Sequence, residues 1–566
     1  MSSPNPALVT QRGARSLPRL ALLVFCAAYV LPGVFHRDPW RNADLVAYGL
    51  MSAMAEGRTS WLSPTLGGVP ADAALLPHWL GALAIQWLGP LFGDGAFAAR
   101  VPFALLLALA MVLVWYTTYY LARTQAAQPV AFAFGGEADP VDYARAIADG
   151  ALLALIATLG LLQLGHETTP ELGQLVGVGL FMLALAIAPF RRWQPRVAII
   201  AALLVLAGSG APATALGIGL GGVLVCMRSA YETVRRFAPW VAAATLASAA
   251  LAAWLGAWQW RASWPDAADA VTLARQWGWF LWPVWPLVLW TLWQWRRHLT
   301  HRHISVPLVT VVIAMVGAIA TDMNDRLLML AIPGLAVLAA FALPTLKRTS
   351  SAAIDWFSMF FFTFGAIAIW FFYVAMQTGV PAKPAANALR LVPGYVVRFE
   401  LVELVFALAG TVAWLWLLRW RTGRHREALW KSMVIPAGGV ALCWLLLMTL
   451  WRAPLDYARS SRPEVEHLRA YVASGGCIAA PGAPPVAVAA LEVFGPYQVD
   501  ARPDAVDGRC DNLLYRVRGV KPPPAPPGWQ HVTTLQRMQD RGERFALYRR
   551  QAAPAAAVEA PAAAAR

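Results

Sequence analysis

Long apolar runs recur along the chain, each bounded by a short segment rich in arginine, glycine, proline or acids. As a helix, a run of about 20 apolar residues is long enough to cross the hydrocarbon of a bilayer. By that rule the pattern predicts about 13 spans. The first four lie near residues 20–35, 100–123, 151–165 and 172–189, and the next two turn at GSGAPAT (208–214). One then rises to Trp260, and a tryptophan-rich run descends to RRHLTHRH (296–303). Pairs enclose TDMNDR (321–326) and residues 377–395, and the last run covers residues 434–451. Between the first two runs lies a polar excursion, residues 36–97, that opens with HRDPWRNAD. Within it, residues 43–56 predict a short interfacial helix and TSWLSPTLGGVP (59–70) predicts turns. Residues 77–88 predict a second interfacial helix, stopped by Gly89-Pro90.

Charge orients these runs. Arg12, Arg15 and Arg19 precede the first run with no acid among them, so residues 1–19 are expected in the cytoplasm. RRWQPR (191–196), Arg228 with Arg235 and Arg236, RRHLTHRH, Lys347 with Arg348, and RWRTGRHR (419–426) then all fall inside, as does a loop expected over residues 124–150. The first run has no small-residue cleavage site and reads as an uncleaved anchor. An odd number of spans places the C-terminal tail outside. The transmembrane domain is read as residues 20–452, a periplasmic domain as 453–551, and the Ala/Pro-rich end, 552–566, as disordered.

Composition agrees with this class. The 566 residues are 58% hydrophobic and 14% charged, with a net charge of +15. In a soluble protein such basicity would suggest nucleic acid; here the basic residues cluster between apolar runs, topology accounts for them, and no nucleic-acid partner is expected. In the tail, PEVEHLRAYVA (463–473) has helical spacing, while GCIAA (476–480), CDNLLYRVR (510–518) and RFALYRR (544–550) read as strands. The predicted fold is mainly α, a polytopic helical membrane protein with a small α/β extracytoplasmic domain. Cys477 and Cys510 lie in that domain, where an oxidising compartment would let them pair; Cys26, Cys226 and Cys443 lie in apolar runs and read as packing residues.

The chemistry is expected on the outer side. There the topology brings Asp38 and Asp44 together with His166, Glu167 and Glu171, and with Asp322, Asp325 and Arg326. Arg37, Arg41, Lys383 and Arg390 share that side, although outer loops usually carry few positive charges, so these suit an anion such as a lipid phosphate. Carboxylates beside such cations serve as a general base or hold a divalent metal. Asp44 is taken as the catalytic residue, with helix capping as the plain alternative. Asp322 and Asp325 also suit a helix start, and His166 and Glu167 suit interface polarity as well as ligation.

The stretch from residue 37 to residue 123 resembles the type-C, membrane-embedded glycosyltransferases of the protein O-mannosyltransferase and lipid A aminoarabinose transferase group. An acid follows the first span, then a helix, SWLSPTLGGVP, PHWLGALAIQWLGPLFG (77–93) and AARVPFALLLALA (98–110). HETTPEL (166–172) and DRLLMLAIPGLAVLAA (325–340) extend the resemblance. It implies inverting transfer of a sugar from a polyprenyl-phosphate donor to an acceptor on the outer face of a bacterial inner membrane. Asp44 would be the acid after the first span, Glu171 an acid of the second outer loop, and Arg326 the cation at the lipid phosphate, helped by Lys383 or Arg390. Asp38, Arg41, Asp72, His166, Glu167 and Glu171 are expected to position donor or acceptor. VPADAALLP (69–77) stands where the aminoarabinose transferases have Glu-Lys-Pro-Pro, so Asp72 replaces the glutamate and the lysine is missing. The outer loop after the seventh run has no histidine. Both departures count against a metal and against aminoarabinose. The acceptor is read as lipid A or another envelope glycolipid or glycan. A protein acceptor on the same fold, a lipid-linked sugar transporter or flippase, and an inactive relative are the alternatives.

Overall fold

The computed structural model describes residues 7–40, 42–71, 74–132, 134–259, 262–265, 269–322, 324–422, 428–508, 510–517, 522–536 and 544–551. Arg41 and Asp72 lie outside the described residues, as does the end expected to be disordered, 552–566. Each of the expected apolar runs contains helix. Among the described residues, 7 helices are long and apolar enough to cross a membrane: Gly95–Ala122, Pro170–Ile187, Glu232–Trp254, Arg302–Ile319, Arg348–Thr378, Leu401–Arg421 and Lys431–Thr449. The other runs are shorter or broken. Arg19–Val30 has 12 residues and Val284–Gln294 has 11, lengths of roughly 17–18 Å at 1.5 Å per residue.

Two boundaries differ from expectation. Residues 140–150, expected in a loop, open the helix Pro140–Ala157. The Asp139 side chain accepts from the Val141 and Asp142 amides, and Pro140 takes the first turn, where its missing N–H costs nothing. The buried Asp149 carboxylate accepts from the Leu17 amide at 2.7 Å and from the Trp115 indole at 2.8 Å. The second interfacial helix runs from Leu75 to Phe92, through Gly89-Pro90, and ends at Gly93 in the left-handed region. Proline in a last turn removes one intrahelical bond and does not stop a helix that packs along its length.

The helix ends sort into two faces. At one, residues 7–17 meet the 124–150 and 428–431 segments: Leu429 N–H donates to Gly13 O at 3.0 Å and the Trp430 indole to Arg15 O at 2.7 Å. At the other, the loops after Arg19–Val30, Leu159–Leu164, Arg302–Ile319 and Lys431–Thr449 come together. The C-terminal sheet has the order β4-β3-β5-β7-β6, where β1 (Thr65–Leu66) and β2 (Val69–Pro70) form a separate hairpin and β3 is Cys477–Ala479, β4 Gln498–Asp500, β5 Asn512–Val517, β6 Trp529–Gln536 and β7 Arg544–Arg550. β3 pairs in parallel with β4 and β5, and β7 is antiparallel to its neighbours. Cys477 and Cys510 form a disulfide.

This domain shares its core with the polar excursion. Leu45, Leu50 and Leu66 pack with Val465, Leu468, Val488, Leu491 and Phe494. The hairpin β1–β2 turns at Gly67 and Gly68, both with positive φ, as a tight two-residue turn requires. Gly67 O accepts from the Ala501 amide at 2.8 Å, and a Cβ at Gly67 would lie 2.7 Å from Val488 Cγ1. Only glycine lets the excursion sit this close to the domain.

Candidate active site at the convergent helix ends

Asp44 lies in the first turn of the helix Ala43–Ala55, and its side chain has 0% exposure. Oδ1 accepts from the Thr168 amide and from its hydroxyl, both at 2.7 Å; Oδ2 accepts from the Trp40 amide at 3.0 Å and faces Arg37 Nη2 at 3.4 Å. Helix capping does not account for this: the N-cap is Asn42, whose side chain caps nothing, and Asp44 bonds across to the 166–169 loop. His36 and Asn42, at either end of the loop, have positive φ, a conformation that costs a non-glycine residue about 1–2 kcal/mol and is sustained only when surrounding contacts fix it. Arg452 donates to His36 O and pairs with Glu400 and Glu403, which supplies part of that fixing.

Arg37 is also buried. Nη2 donates to His166 O at 2.9 Å, its guanidinium stacks 4.3 Å from the Trp40 ring centroid, and among the described residues its Nε and Nη1 make no hydrogen bond. Arg459 covers Trp40 at 4.8 Å and donates to Gln163 Oε1 at 2.7 Å. The Trp40 indole donates to Asp456 at 2.9 Å. Asp456 also accepts from the Asp38 amide, at 3.1 Å to each oxygen, while the Asp38 carboxylate binds Arg462 at 2.6 and 2.8 Å and Ser460 at 2.8 Å.

On the far side of Thr168, Glu167 pairs with Arg326 and accepts from Gln163 at 2.9 Å. Arg326 reaches Thr169 at 3.1 Å and lies 3.7 Å from Glu171, whose Oε2 has no hydrogen bond among the described residues. Arg326 and Glu171 each keep 19% side-chain exposure, and Asp38 keeps 18%. His166, expected in an outer loop, is buried, with ring nitrogens near Leu162 O at 2.6 Å and Tyr29 O at 2.8 Å. Burial pushes it down to about 4, so at neutral pH it is uncharged and one nitrogen donates. Lys383 and Arg390 lie elsewhere on this face, on the helix Ala382–Arg390, which packs on Arg348–Thr378.

The carboxylates are pushed in opposite directions by their surroundings. Burial raises Asp44, but Arg37, Arg100 and the Thr168 hydrogen bonds outweigh it, so its pKa lies below the ordinary value. Burial and the neighbouring Asp44 raise Glu167 against the pull of Arg326. The same split recurs beside it. Arg462 and Ser460 overcome burial and lower Asp38, while burial and Asp38 raise Asp456. Among the described residues, no group of three or more His, Cys, Asp or Glu is placed to hold a metal ion.

Asp456, Arg459 and Arg462 escaped the sequence reading, as did the roles of Trp40 and Thr168. A signal for the arginines is present: Arg452, Arg459 and Arg462 follow the last span, on the side the charge pattern leads one to expect outside, where positive charge is uncommon.

The sequence matches no protein-family profile and no curated protein. Among solved structures the chain resembles ArnT from Cupriavidus metallidurans bound to undecaprenyl phosphate, with a TM-score of 0.57 and 13% identity over 94% of this chain and 96% of that one. The apo form of the same protein gives a TM-score of 0.57 and 14% identity over the same shares. At this identity the likeness concerns architecture, and it runs through both the helical bundle and the C-terminal domain. The chain therefore has the ArnT fold, the architecture of the type-C glycosyltransferase group that its sequence resembles.

Proposed function

We propose that the chain is an inner-membrane glycosyltransferase that moves a sugar from a polyprenyl-phosphate donor to an envelope acceptor at the face bearing Asp44, with the N-terminus on the cytoplasmic side. The observation that carries this reading is the charge cluster itself, which ends the helices in a fold shared with a protein that binds undecaprenyl phosphate. Leaving of a lipid phosphate develops negative charge, which a fixed cation stabilises. Arg326 takes that role: it is partly exposed and held by Glu167 and Thr169. For a hydroxyl acceptor a carboxylate must remove a proton, and it must be both ionised and reachable. Asp38 meets both conditions, being partly exposed and lowered by Arg462. The catalytic role expected for Asp44 therefore passes to Asp38. Asp44, fully enclosed, is a positioning residue that ties Arg37 and the Trp40 loop to Thr168. Asp38 is bound to the 456–462 segment and Arg326 to the 167–171 segment. In this reading Asp38 serves the acceptor and Arg326 the leaving phosphate, the two roles that an inverting displacement needs.

The test is mass spectrometry of extracted envelope glycolipids from cells lacking the gene and cells complemented with wild type, Asp38→Asn or Arg326→Gln. The expected result is one sugar mass lost in the deletion, restored by wild type and by neither variant. If every glycolipid is unchanged while glycoproteins lose a sugar, the acceptor is protein; if neither changes, the transferase reading fails.

A further inference from the structure

At the face away from Asp44, the ends of several helices meet around one arginine. Arg302 opens the helix Arg302–Ile319 and is only 5% exposed. Its Nη2 donates to Leu185 O, in the last turn of Pro170–Ile187. The ionisable groups near it are Cys226, in the last turn of Pro212–Met227, and Tyr231. A thiol and a phenol carry no charge at neutral pH, and among the described residues Arg302 has no ion pair. Its Nε and Nη1 are buried and make no hydrogen bond among the described residues. Ser305, three residues on and so on the same helix face, has a buried hydroxyl that is also without a partner there. Side chains on a helix lean toward its N-terminus, which aims both residues at the start of Arg302–Ile319, where His301 supplies no side-chain cap. His303 turns elsewhere, onto Trp295 and Phe341.

Buried polar groups are nearly always hydrogen-bonded, and a buried charge is nearly always matched. Leu185 O meets one guanidinium nitrogen but brings no full charge. A water molecule could take another N–H, yet it would leave the cation unneutralised. A helix N-terminus attracts anions through its free amides and its dipole, and here a guanidinium and a hydroxyl point to the same end. Phosphate spreads its oxygens tetrahedrally and can meet guanidinium, hydroxyl and amides at once, where a carboxylate presents its oxygens in one plane. We propose that the Arg302–Ser305 turn binds a phosphate group, carried by a lipid headgroup or free in solution. The site does not depend on the transferase reading. It joins the helix that carries Glu171 at its other end to the helix that leads into Arg326, so a bound phosphate braces that pair from the opposite face.

The experiment is native mass spectrometry of the purified full-length protein, delipidated in detergent and titrated separately with inorganic phosphate and with phosphatidylglycerol. The variants are Arg302→Met, Ser305→Ala and, as a control, Arg297→Gln, at an exposed position of the preceding loop outside the turn. Wild type is expected to bind at least one of the two ligands saturably. Loss of one hydrogen bond to a charged group predicts that Ser305→Ala weakens this binding about 10-fold. Arg302→Met should abolish it, and Arg297→Gln should leave it unchanged. Binding of inorganic phosphate identifies a free anion, and binding of phosphatidylglycerol alone a lipid headgroup; either supports the site. The inference is overturned if neither ligand binds, if Ser305→Ala binds like wild type, or if Arg297→Gln weakens binding as much as Ser305→Ala, the mark of diffuse attraction to a basic surface. Should Arg302→Met fail to fold, the other two variants decide.

Discussion

Replacing Asp44 by asparagine is the sharpest test of the charge cluster. Arg37 and Asp44 lie 3.4 Å apart, with side-chain exposures of 1% and 0%, so solvent does not screen the pair. At an effective dielectric near 20 their attraction is about 5 kcal/mol. Removing one member of such a buried pair typically costs about 3–5 kcal/mol, most of it from leaving the other charge without a partner. Asparagine keeps the shape but offers one oxygen to the Thr168 amide, the Thr168 hydroxyl, the Trp40 amide and Arg37, which Asp44 serves with two. The expected loss is therefore about 3–5 kcal/mol, read as denaturant unfolding of the detergent-solubilised full chain. The double variant Arg37→Met/Asp44→Leu removes both charges and should recover at least half of that loss. The pH dependence has a definite sign. The folded pKa of Asp44 lies below its unfolded value, so its contribution is fully present above about pH 4 to 5. It fades as the pH falls through the lowered folded value, and the gap between wild type and Asp44→Asn should close in acid. An Asp44→Asn protein that unfolds like wild type at neutral pH but transfers no sugar would refute the positioning role and return Asp44 to the chemistry.

Arg326→Gln should lower sugar transfer by about 10²–10³-fold, the usual loss when one donor to a developing oxyanion is removed. Stability should change less than for Asp44→Asn, because burial and Asp44 already raise Glu167, and it can take up a proton once its cation is gone; transfer rate and unfolding measured together separate the two. Trp40→Ala should cost about 3–5 kcal/mol and unseat Arg37, Arg459 and Asp456 at once; faster proteolysis between residues 452 and 462 would report it. Replacing Cys477 and Cys510 by serine opens a loop with a sequence separation of 33, an expected loss of about 3–4 kcal/mol, visible as earlier unfolding of the C-terminal domain together with the excursion that completes its core.

The helical architecture was legible because apolar runs near bilayer thickness leave a plain mark in the sequence. The mark fails where the physics differs. Residues 140–150 read as a loop because Asp142, Arg145 and Asp149 are charged, yet Asp149 is buried among the Leu17 amide and the Trp115 indole. Hydropathy counts a charge and cannot see the partner that satisfies it. In the tail, β3, β5, β7 and the first helix have readable periodicity, while the helix Pro485–Phe494 and strands β4 and β6 went unread. Pro485–Phe494 is apolar on most sides because it is buried between the sheet and Ala43–Ala55, and the short strand β4 is defined by its pairing with β3. Asp38, Asp44, Glu167 and Arg326 could be named from position and charge. Which of them is enclosed depends on Thr168, Trp40 and Asp456, ordinary residues that matter only through contacts made across long stretches of chain.

Those contacts decide what the C-terminal domain is for. If it were an appended module, its core would close on itself, and the linker Arg452–Arg459 would be a tether. Instead Leu45, Leu50 and Leu66 complete its core, and the linker supplies Asp456 and Arg459 to Trp40. Asp38 is held by Ser460 and Arg462, and so by the entrance to the domain. A displacement of the domain would therefore release Asp38, uncover Trp40 and free Arg37 together, while Arg326 and Glu167, fixed to the helical part, would stay in place. On the proposed transferase reading, the C-terminal domain builds the acceptor side and the bundle the donor side, so a chain truncated before residue 452 should keep its grip on a lipid phosphate at Arg326 and lose transfer. Binding of undecaprenyl phosphate lost to the same extent as transfer would show that the two halves are not separable in this way.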